Sequence, residues 1–145
     1  MPNHESSYIR RDKGAILSDT AAFYTAFGVA VDPDSHHRTD HLCAQLEFVA
    51  LLLVKLARAK SENNAEAVWV TEDALGKFNR DHVMEWLPSF ISRLASCAPH
   101  PFYMSAADLL WSVWERLWEQ PKTAAFEDVR TPETDPGTPY ECDMV

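Results

Sequence analysis

The chain has 145 residues, of which 46% are hydrophobic and 24% are charged, with nine Pro but only four Gly. That length is enough for one domain with its own core. Neither G-x-x-x-x-G-K-[ST] nor G-x-G-x-x-G is present, so no standard nucleotide-binding loop is predicted. The net charge of −9 argues against nucleic acid as a partner, because such proteins need a basic stripe to bind phosphates.

The first predicted helix follows a polar lead-in over residues 1–17. Ser18 and Asp19 offer an N-cap for residues 20–27, and Gly28 is placed to end that helix. The connection that follows contains an Asp-Pro-Asp sequence, which is typical of turns.

The strongest predicted element is a helix capped by Thr39 that runs from Asp40 to about residue 61. Its apolar residues form two stripes on opposite sides, which predicts a central helix that is buried on more than one side. One stripe contains Leu42, Leu46, Val49, Leu53 and Leu56. The opposite side of the helix carries Ala44, Leu51 and Val54 together with Asp40, Glu47 and Arg58.

The remaining pattern predicts three further helices and no strand, because nothing alternates with period two over a useful length. The chain is therefore predicted to be an all-α bundle of about five helices over residues 18–120, followed by a disordered acidic tail over residues 121–145. The three helices are placed at residues 71–80, at residues 88–98 after a corner at Asp81-His82, and at residues 105–119.

The cysteines and the hydropathy pattern predict a reduced cytoplasmic protein without a membrane span. Cys43, Cys97 and Cys142 form no C-x-x-C pair. The longest uninterrupted apolar run is residues 48–54, far short of the roughly 20 residues that a span needs. Cys97 lies beside Ala95 and Pro99 and is predicted to be a small core residue.

A cluster of potential metal ligands lies just before and at the start of the central helix. His37 and His41 have the i, i+4 spacing of two ligands on one helix face, but His37 precedes the predicted cap. No second pair at ligand spacing follows, so a polar loop leading into a capped helix is the favoured interpretation, with no metal. The cluster contains His36, His37, Asp40, His41 and Cys43.

Three tryptophans recur on the last predicted helix, and two interpretations of them stay open. Trp111, Trp114 and Trp118 form an i, i+3, i+7 stripe that is most often part of a core. Alternatively, some of these rings line a groove for an apolar peptide segment. An acidic flank beside such a groove would suit a ligand that is basic at one end and apolar beyond it.

Four segments resemble, in order, the TorD/DmsD/NarJ-type cytoplasmic chaperones of molybdoenzymes, and together they cover about residues 7–120. The most characteristic segment is Asp40-His41-Leu42 followed by Leu46-Glu47-Phe48-Val49-Ala50-Leu51-Leu52. The others are Phe23-Tyr24 with Ala26-Phe27-Gly28; Phe78 with Asp81-His82-Val83, Trp86-Leu87-Pro88 and Phe90; and Pro101-Phe102-Tyr103 with Ala106, Leu109 and Leu110.

The resemblance implies an all-helical, non-enzymatic cytoplasmic chaperone with no cofactor of its own. Members of that family bind the twin-arginine signal peptide and the body of a molybdenum- or tungsten-containing oxidoreductase subunit, and they hold the apoenzyme for cofactor insertion before export. The implied partners are therefore a molybdoenzyme catalytic subunit and its signal peptide. The alternatives are a helical adaptor domain of unrelated function and, more distantly, a His-based metal protein.

The resemblance also nominates residues for client binding. The family's acidic-Pro-x-Asp-His motif falls at residues 37–41, where Asp40 and His41 match but His37 and Arg38 replace the acid and the proline. Our hypothesis is that Asp40, His41 and Glu47 form part of the recognition surface. The alternative is structural: Asp40 caps and charges the helix start, and His41 hydrogen-bonds across a corner. The later Asp-His…Trp segment adds Asp81, His82 and Trp86 as client-binding candidates.

Relatives usually have additional helices before the segment that begins near Tyr8. The chain is therefore expected to be a shortened member, a fragment, or a protein completed by a second copy. Because the central helix has two apolar faces, a homodimer formed by helix exchange is one predicted way to bury them.

Overall fold

The computed structural model describes residues 1–97 and 100–118, and the fold of this part of the chain is all-α with no named strand. The prediction of an all-α, five-helix protein is confirmed, while the predicted tail over residues 121–145 lies outside the described residues. A 3-10 turn (Glu5–Ser7) precedes the first helix, and a π-helical turn (Asn79–Val83) follows the third. The five helices are α1 (Lys13–Ala26), α2 (Leu42–Ser61), α3 (Ala65–Phe78), α4 (Leu87–Ser96) and α5 (Pro101–Trp118).

Helix α1 begins well before the predicted start, inside the segment assigned to the polar lead-in. Its N-cap is Asp12, whose Oδ1 accepts a hydrogen bond from the backbone N–H of Ala15 at 2.8 Å, so the predicted cap at Ser18 and Asp19 is wrong. An acidic side chain at the earlier position satisfies an unpaired N–H of the first turn equally well. The helix ends at Ala26. Gly28 has the left-handed backbone conformation (φ 76°) that is common just after the end of a helix.

Helix α2 is central, as predicted, but its cap and its buried face differ from the prediction. His41 rather than Thr39 is the N-cap, because its Nδ1 accepts from the N–H of Cys43 at 3.1 Å. The buried side lies between the two predicted stripes, and Val54 is 68% exposed. The buried residues of α2 are Gln45, Phe48, Val49, Leu52 and Ala59.

Helix α3 also begins earlier than predicted. Asn63 takes a positive φ of 52°, which Asn tolerates better than most residues. Asn64 then caps the helix by accepting from the N–H of Ala67 at 3.0 Å. The predicted corner at Asp81-His82 falls within the π-helical turn, a wide turn that is frequent at functional sites.

Helices α4 and α5 form the last part of the described fold. Pro88 lies in the first turn of α4, as predicted. Helix α5 begins at Pro101 rather than Ser105. Proline is tolerated in the first turn of a helix, because the N–H that it lacks would be unpaired there anyway. The prediction that Cys97 is a core residue is wrong: it is exposed at the C-cap of α4, whose buried residues are Leu87 and Phe90.

The core is rich in aromatic residues from several elements. Phe48 of α2 contacts Phe78 of α3 at a ring-centroid distance of 4.7 Å and Tyr24 of α1 at 4.8 Å. Trp86 is completely buried and contacts the ring of Tyr8, so the segment before α1 also belongs to the core. In the described part of the chain, no helix has the length and apolar content required to cross a membrane.

Candidate functional site

Residues 38–42 are fixed to both the N-terminal segment and α1, so the start of α2 is held rigidly. His4 and His41 form a single antiparallel bridge: the N–H of Glu5 donates to the carbonyl of Asp40 at 3.0 Å, and the N–H of Leu42 donates to the carbonyl of Asn3 at 2.9 Å. From α1, the hydroxyl of Tyr24 donates to the carbonyl of Thr39 at 2.6 Å.

Asp40 is completely buried and acts as a structural anion. Both of its oxygens accept from the guanidinium of Arg38 at 3.0 Å, and Oδ2 also accepts from the N–H of Ser6 at 3.1 Å. Burial raises the pKa of Asp40, but the hydrogen bonds from Ser6 and Arg38 outweigh burial and hold the pKa below its ordinary value. Arg38, which replaces the proline of the family motif, is therefore the counter-ion of the motif's aspartate.

Three histidine rings lie in contact beside this ion pair. The ring of His41 lies 4.1 Å from that of His37 and 5.0 Å from that of His4, measured between centroids. His41 is buried, whereas His37 is exposed. Burial, followed by nearby cations, lowers the pKa values of His4 and His41. Among the described residues, no group of three or more His, Cys, Asp or Glu side chains is arranged to hold a metal ion.

A groove of about 460 Å³ opens between the α1–α2 connection and the first half of α2. Ligand-binding clefts in proteins commonly have this size. Its walls include apolar side chains from both elements, and the carboxylates of Asp32 and Glu47 are exposed along it. The lining includes Val29, Val31, Asp32, His37, Glu47, Phe48 and Leu51.

A second polar cluster is buried in the core and centred on Glu5. The carboxylate of Glu5 accepts from Gln45 Nε2 at 2.7 Å and lies 3.1 Å from His82 Nδ1, and all three side chains are completely buried. Gln45 in turn accepts from Trp86 Nε1 at 3.1 Å. The cluster joins the N-terminal segment, α2, the π-helical turn and the start of α4 through one connected network, so every member has a partner.

Two charged side chains connect this buried network to the surface. Arg11, which is 41% exposed, donates to Glu5 at 3.1 Å and also pairs with Glu85. Asp19, which is 58% exposed, lies 3.0 Å from the second ring nitrogen of His82. Burial lowers the pKa of His82, but Glu5 and Asp19 outweigh burial and raise the pKa above its ordinary value of 6.5.

The raised pKa of His82 predicts a loss of stability as the pH rises. Its contribution is fully present below pH 6.5 and is lost as the pH rises through the raised pKa. The pKa values of His4 and His41 are lowered, so these two residues make the stability rise with pH, and only below pH 6.5. We expect the free energy of unfolding, measured by urea denaturation, to fall as the pH rises above 6.5. Burial also raises the pKa of Glu5, which faces the same ring, so His82→Gln should remove the part of this fall that the histidine causes and leave the part that Glu5 causes. The matched control His36→Gln, at an exposed position, should retain the whole fall.

The six nominated client-binding residues fall into two groups. Glu47 lines the groove, and Asp40 and His41 lie behind its wall, where His41 packs on the groove residue His37. The structural alternative is wrong in its details: His41, not Asp40, caps α2, and the ring of His41 accepts from the N–H of Cys43 in the first turn of α2 rather than across a corner. The second group lies apart from the groove: His82 and Trp86 are buried in the Glu5 network, and Asp81 is partly exposed and pairs with Arg80 at 2.6 Å.

Sequence reasoning missed two sets of residues that shape these sites. Glu5 lies in the segment interpreted as a polar lead-in, and no local pattern distinguishes it from an exposed glutamate. The groove wall formed by Val31 and Asp32 was interpreted only as a turn. The apolar run just before that turn was the available signal, because a solvent-exposed turn does not need it.

The structure assigns Trp114 of the last helix to the core. Trp114 is buried, with its Nε1 donating to Asn79, whereas Trp111 is half-buried. The side chain of Trp118 lies outside the described residues. Trp69 of α3 is 65% exposed. The prediction that the stripe belongs to the core is thus correct for Trp114, and the groove described above is lined by other residues.

The family of the chain follows from comparison with known proteins. The sequence model of the family described as nitrate reductase delta subunit matches residues 1–92, which include both the groove and the Glu5 network. The chain belongs to the nitrate reductase delta subunit family. The resemblance to TorD/NarJ-type proteins that the motifs predicted is thereby confirmed.

Curated relatives of this nitrate reductase delta subunit family member are named as chaperones. The chaperone protein TorD of Vibrio parahaemolyticus is 30% identical over 84 residues, which cover 58% of this chain and 38% of the relative. TorD of Vibrio vulnificus strain YJ016 is 27% identical over 110 residues, covering 74% and 50%. The chlorate reductase assembly chaperone protein of Ideonella dechloratans is 34% identical over 85 residues, covering 58% and 42%. The chain thus spans half or less of the length of these relatives, and no solved structure matches it significantly.

Proposed function

We propose that this chain is a non-enzymatic maturation chaperone for a molybdenum-containing oxidoreductase subunit. It acts in the cytoplasm, where it binds the client's twin-arginine signal peptide and the apo form of the subunit and assists cofactor insertion before export. Membership of the nitrate reductase delta subunit family and the names of the relatives support the chaperone role. The observation that supports peptide binding most directly is the groove beside α2.

The groove has the chemistry that a basic, apolar peptide requires. Val29, Val31 and Leu51 offer apolar surface, which an apolar peptide segment would cover and remove from water. Glu47 and Asp32 are exposed acids and would pair with arginines that precede that segment, because a guanidinium matches a carboxylate in a bidentate geometry. A peptide with adjacent arginines followed by apolar residues therefore fits both parts of the groove.

In this proposal the motif residues Asp40 and His41 position the groove and do not touch the peptide. Asp40 holds Arg38 and the N-terminal segment, and His41 supports the exposed ring of His37 on the groove wall. Glu47 is the residue of the motif region that contacts the client. Asp81, His82 and Trp86 lie outside the groove and contribute through the stability of the fold.

Reversing the charge of Glu47 should weaken peptide binding. We expect Glu47→Arg to raise the Kd for a synthetic twin-arginine peptide about tenfold, corresponding to about 1.4 kcal/mol, because it removes an attraction and adds a like-charge repulsion. The measurement is isothermal titration calorimetry with the 145-residue chain. Glu62→Arg, at an exposed position at the end of α2, makes the same charge change and should leave the Kd within about twofold.

Two further comparisons test the remaining parts of the proposal. A peptide with both arginines replaced by lysine should bind more weakly, since lysine cannot pair bidentately. The wild-type chain should also retain the apo catalytic subunit of a molybdoenzyme in a pull-down, as expected of a chaperone but not of an unrelated adaptor domain. Equal binding by Glu47→Arg and wild type would remove the groove from the proposal, and failure to retain any such subunit would reject the chaperone function.

A further inference from the structure

Three histidines from different segments of the chain meet at the start of α2, and together they are called the histidine cluster below. His4 belongs to the N-terminal segment and His37 to the α1–α2 connection, and the ring of His41 contacts both, at centroid distances of 5.0 Å and 4.1 Å. His41 is buried, whereas His37 is exposed and lines the groove. The cluster therefore joins the N-terminal segment to the groove wall.

The cap of α2 requires a neutral His41. Its Nδ1 accepts the hydrogen bond from the backbone N–H of Cys43 at 3.1 Å, so this nitrogen carries no proton of its own. A charged imidazole carries a proton on both ring nitrogens and can accept no hydrogen bond. It would also place a cation at the N-terminus of a 20-residue helix, where the helix dipole repels it. A proton gained by His41 therefore removes the cap of α2.

The surroundings of the cluster oppose its protonation. Burial is the largest cause that lowers the pKa values of His4 and His41. For His4 the next cause is Arg38, and for His41 it is His37. Asp40 raises both pKa values but does not outweigh the other causes. The charged groups that face the cluster are Lys13 of α1 and, in the connection, Arg38 and Asp40. The folded state therefore favours neutral rings, and acid acts against it.

The cluster lies beside the bridge that attaches the N-terminal segment to the start of α2. The N–H of Glu5 donates to the carbonyl of Asp40 on one side of this bridge. The N–H of Leu42 donates to the carbonyl of Asn3 on the other side. Like charges on neighbouring rings would push the two segments apart. We propose that the histidine cluster is a pH-sensitive switch, in which protons gained in mildly acidic solution remove the cap of α2 and open this bridge. The switch does not depend on the proposed function.

The effect of the switch on the groove does rest on the proposed function. His37 and Cys43 line the groove, so opening the start of α2 changes its wall, and a charged His37 adds a cation that repels a basic peptide. Isothermal titration calorimetry with the twin-arginine peptide should give a Kd about fivefold higher at about pH 5.5 than at about pH 7.5. A chain that binds no such peptide at either pH would reject peptide binding and leave the switch to the tests that follow.

The first test of the switch is hydrogen exchange of the whole chain, followed by NMR. The protection factors of the Glu5 and Leu42 amides should fall about fivefold from about pH 7.5 to about pH 5.5, because both N–H groups lose their acceptors when the bridge opens. The far-UV circular dichroism should be the same at both pH values, since the opening is local. Unchanged protection of these two amides, or unfolding of the whole chain at the lower pH, would overturn the proposal.

The second test compares three variants in the same measurement. His41→Asn should keep both amides protected in acid, because an asparagine oxygen caps a helix and gains no proton there. His37→Gln retains the cap and should respond less to acid than wild type. The matched control His36→Gln, at an exposed position, should show the full response. Glu5 and His82 are unchanged in every variant, so their own titration cancels from the comparison.

The variants also define the result that contradicts the switch. An acid response in His41→Asn as large as that of wild type would overturn the proposal. If circular dichroism shows that this variant does not fold, His37→Gln decides: a smaller response than that of wild type supports the switch, and an equal response overturns it.

Discussion

Replacing Glu5 by alanine is expected to lower the free energy of unfolding by about 3 to 5 kcal/mol. The change leaves His82 and Gln45 without their main partner in a site where all three side chains are completely buried. Removing one member of a buried charged network costs more than the network contributes in total, because the remaining groups stay desolvated. Urea denaturation followed by circular dichroism would measure the change, which is a large fraction of the roughly 5 to 15 kcal/mol typical of a domain.

Asp19→Ala is the matched control, because it removes the other carboxylate that faces His82. Asp19 is 58% exposed, and we expect a loss of at most about 1 kcal/mol, since water replaces it. Glu5→Gln should fall between the two, because it retains the shape and one acceptor oxygen. If Glu5→Ala and Asp19→Ala lowered the stability equally, burial would not be the reason for the importance of Glu5.

Asp40→Ala is expected to lower the free energy of unfolding by about 2 to 3 kcal/mol. It removes the acceptor of the Ser6 N–H and the counter-ion of Arg38. The loss is smaller than for Glu5 because Arg38 is 36% exposed and can be hydrated again. Since the pKa of Asp40 is lowered, its contribution is present above pH 3.8 and lost as the pH falls through the lowered pKa. Wild type and variant should therefore converge in stability in acid.

The matched control for Asp40 is Asp34→Ala, which changes an exposed carboxylate in the preceding connection and should cost at most about 0.5 kcal/mol. Measured with peptide binding, the pair separates the two roles considered for Asp40. If Asp40 only positions the groove, peptide binding by Asp40→Ala should recover when the stability of the variant is restored, for example by a stabilising osmolyte. A direct contact with the peptide predicts weak binding even when the variant is fully folded.

The helices were predictable from local sequence, but several of their ends were not. Periodicity located α2 and the region of α4 because an apolar face is a local property of the chain. The start of α1 was missed because Asp12 and Ser18 are both acceptable caps, and only the packing of the folded chain selects between them. The buried side of α2 was missed for a similar reason: Gln45 was not counted as a core residue, yet Glu5 and Trp86 satisfy its amide there.

The candidate site, too, could be predicted only in part, because it depends on contacts between segments that are distant in the sequence. The family motif identified Asp40 and His41, because its Asp-His pair is present in the sequence. Their burial depends on the N-terminal segment, which the sequence presents only as polar. Glu47 was predictable as an exposed acid, but the groove beside it requires the connection that holds Val31 and Asp32. Contacts between distant segments have no periodic signature, so only the folded chain reveals them.

The bond between Glu5 and His82 joins residues 77 positions apart, and this separation has a kinetic consequence. The chain must close a long loop before the network gains anything from it, and the entropy of that loop opposes early formation. Local pairs such as α2 and α3, joined by a short turn, form contacts at much lower entropic cost. We therefore expect the network to form late, on a nearly folded bundle, so that weakening it should accelerate unfolding more than it slows folding.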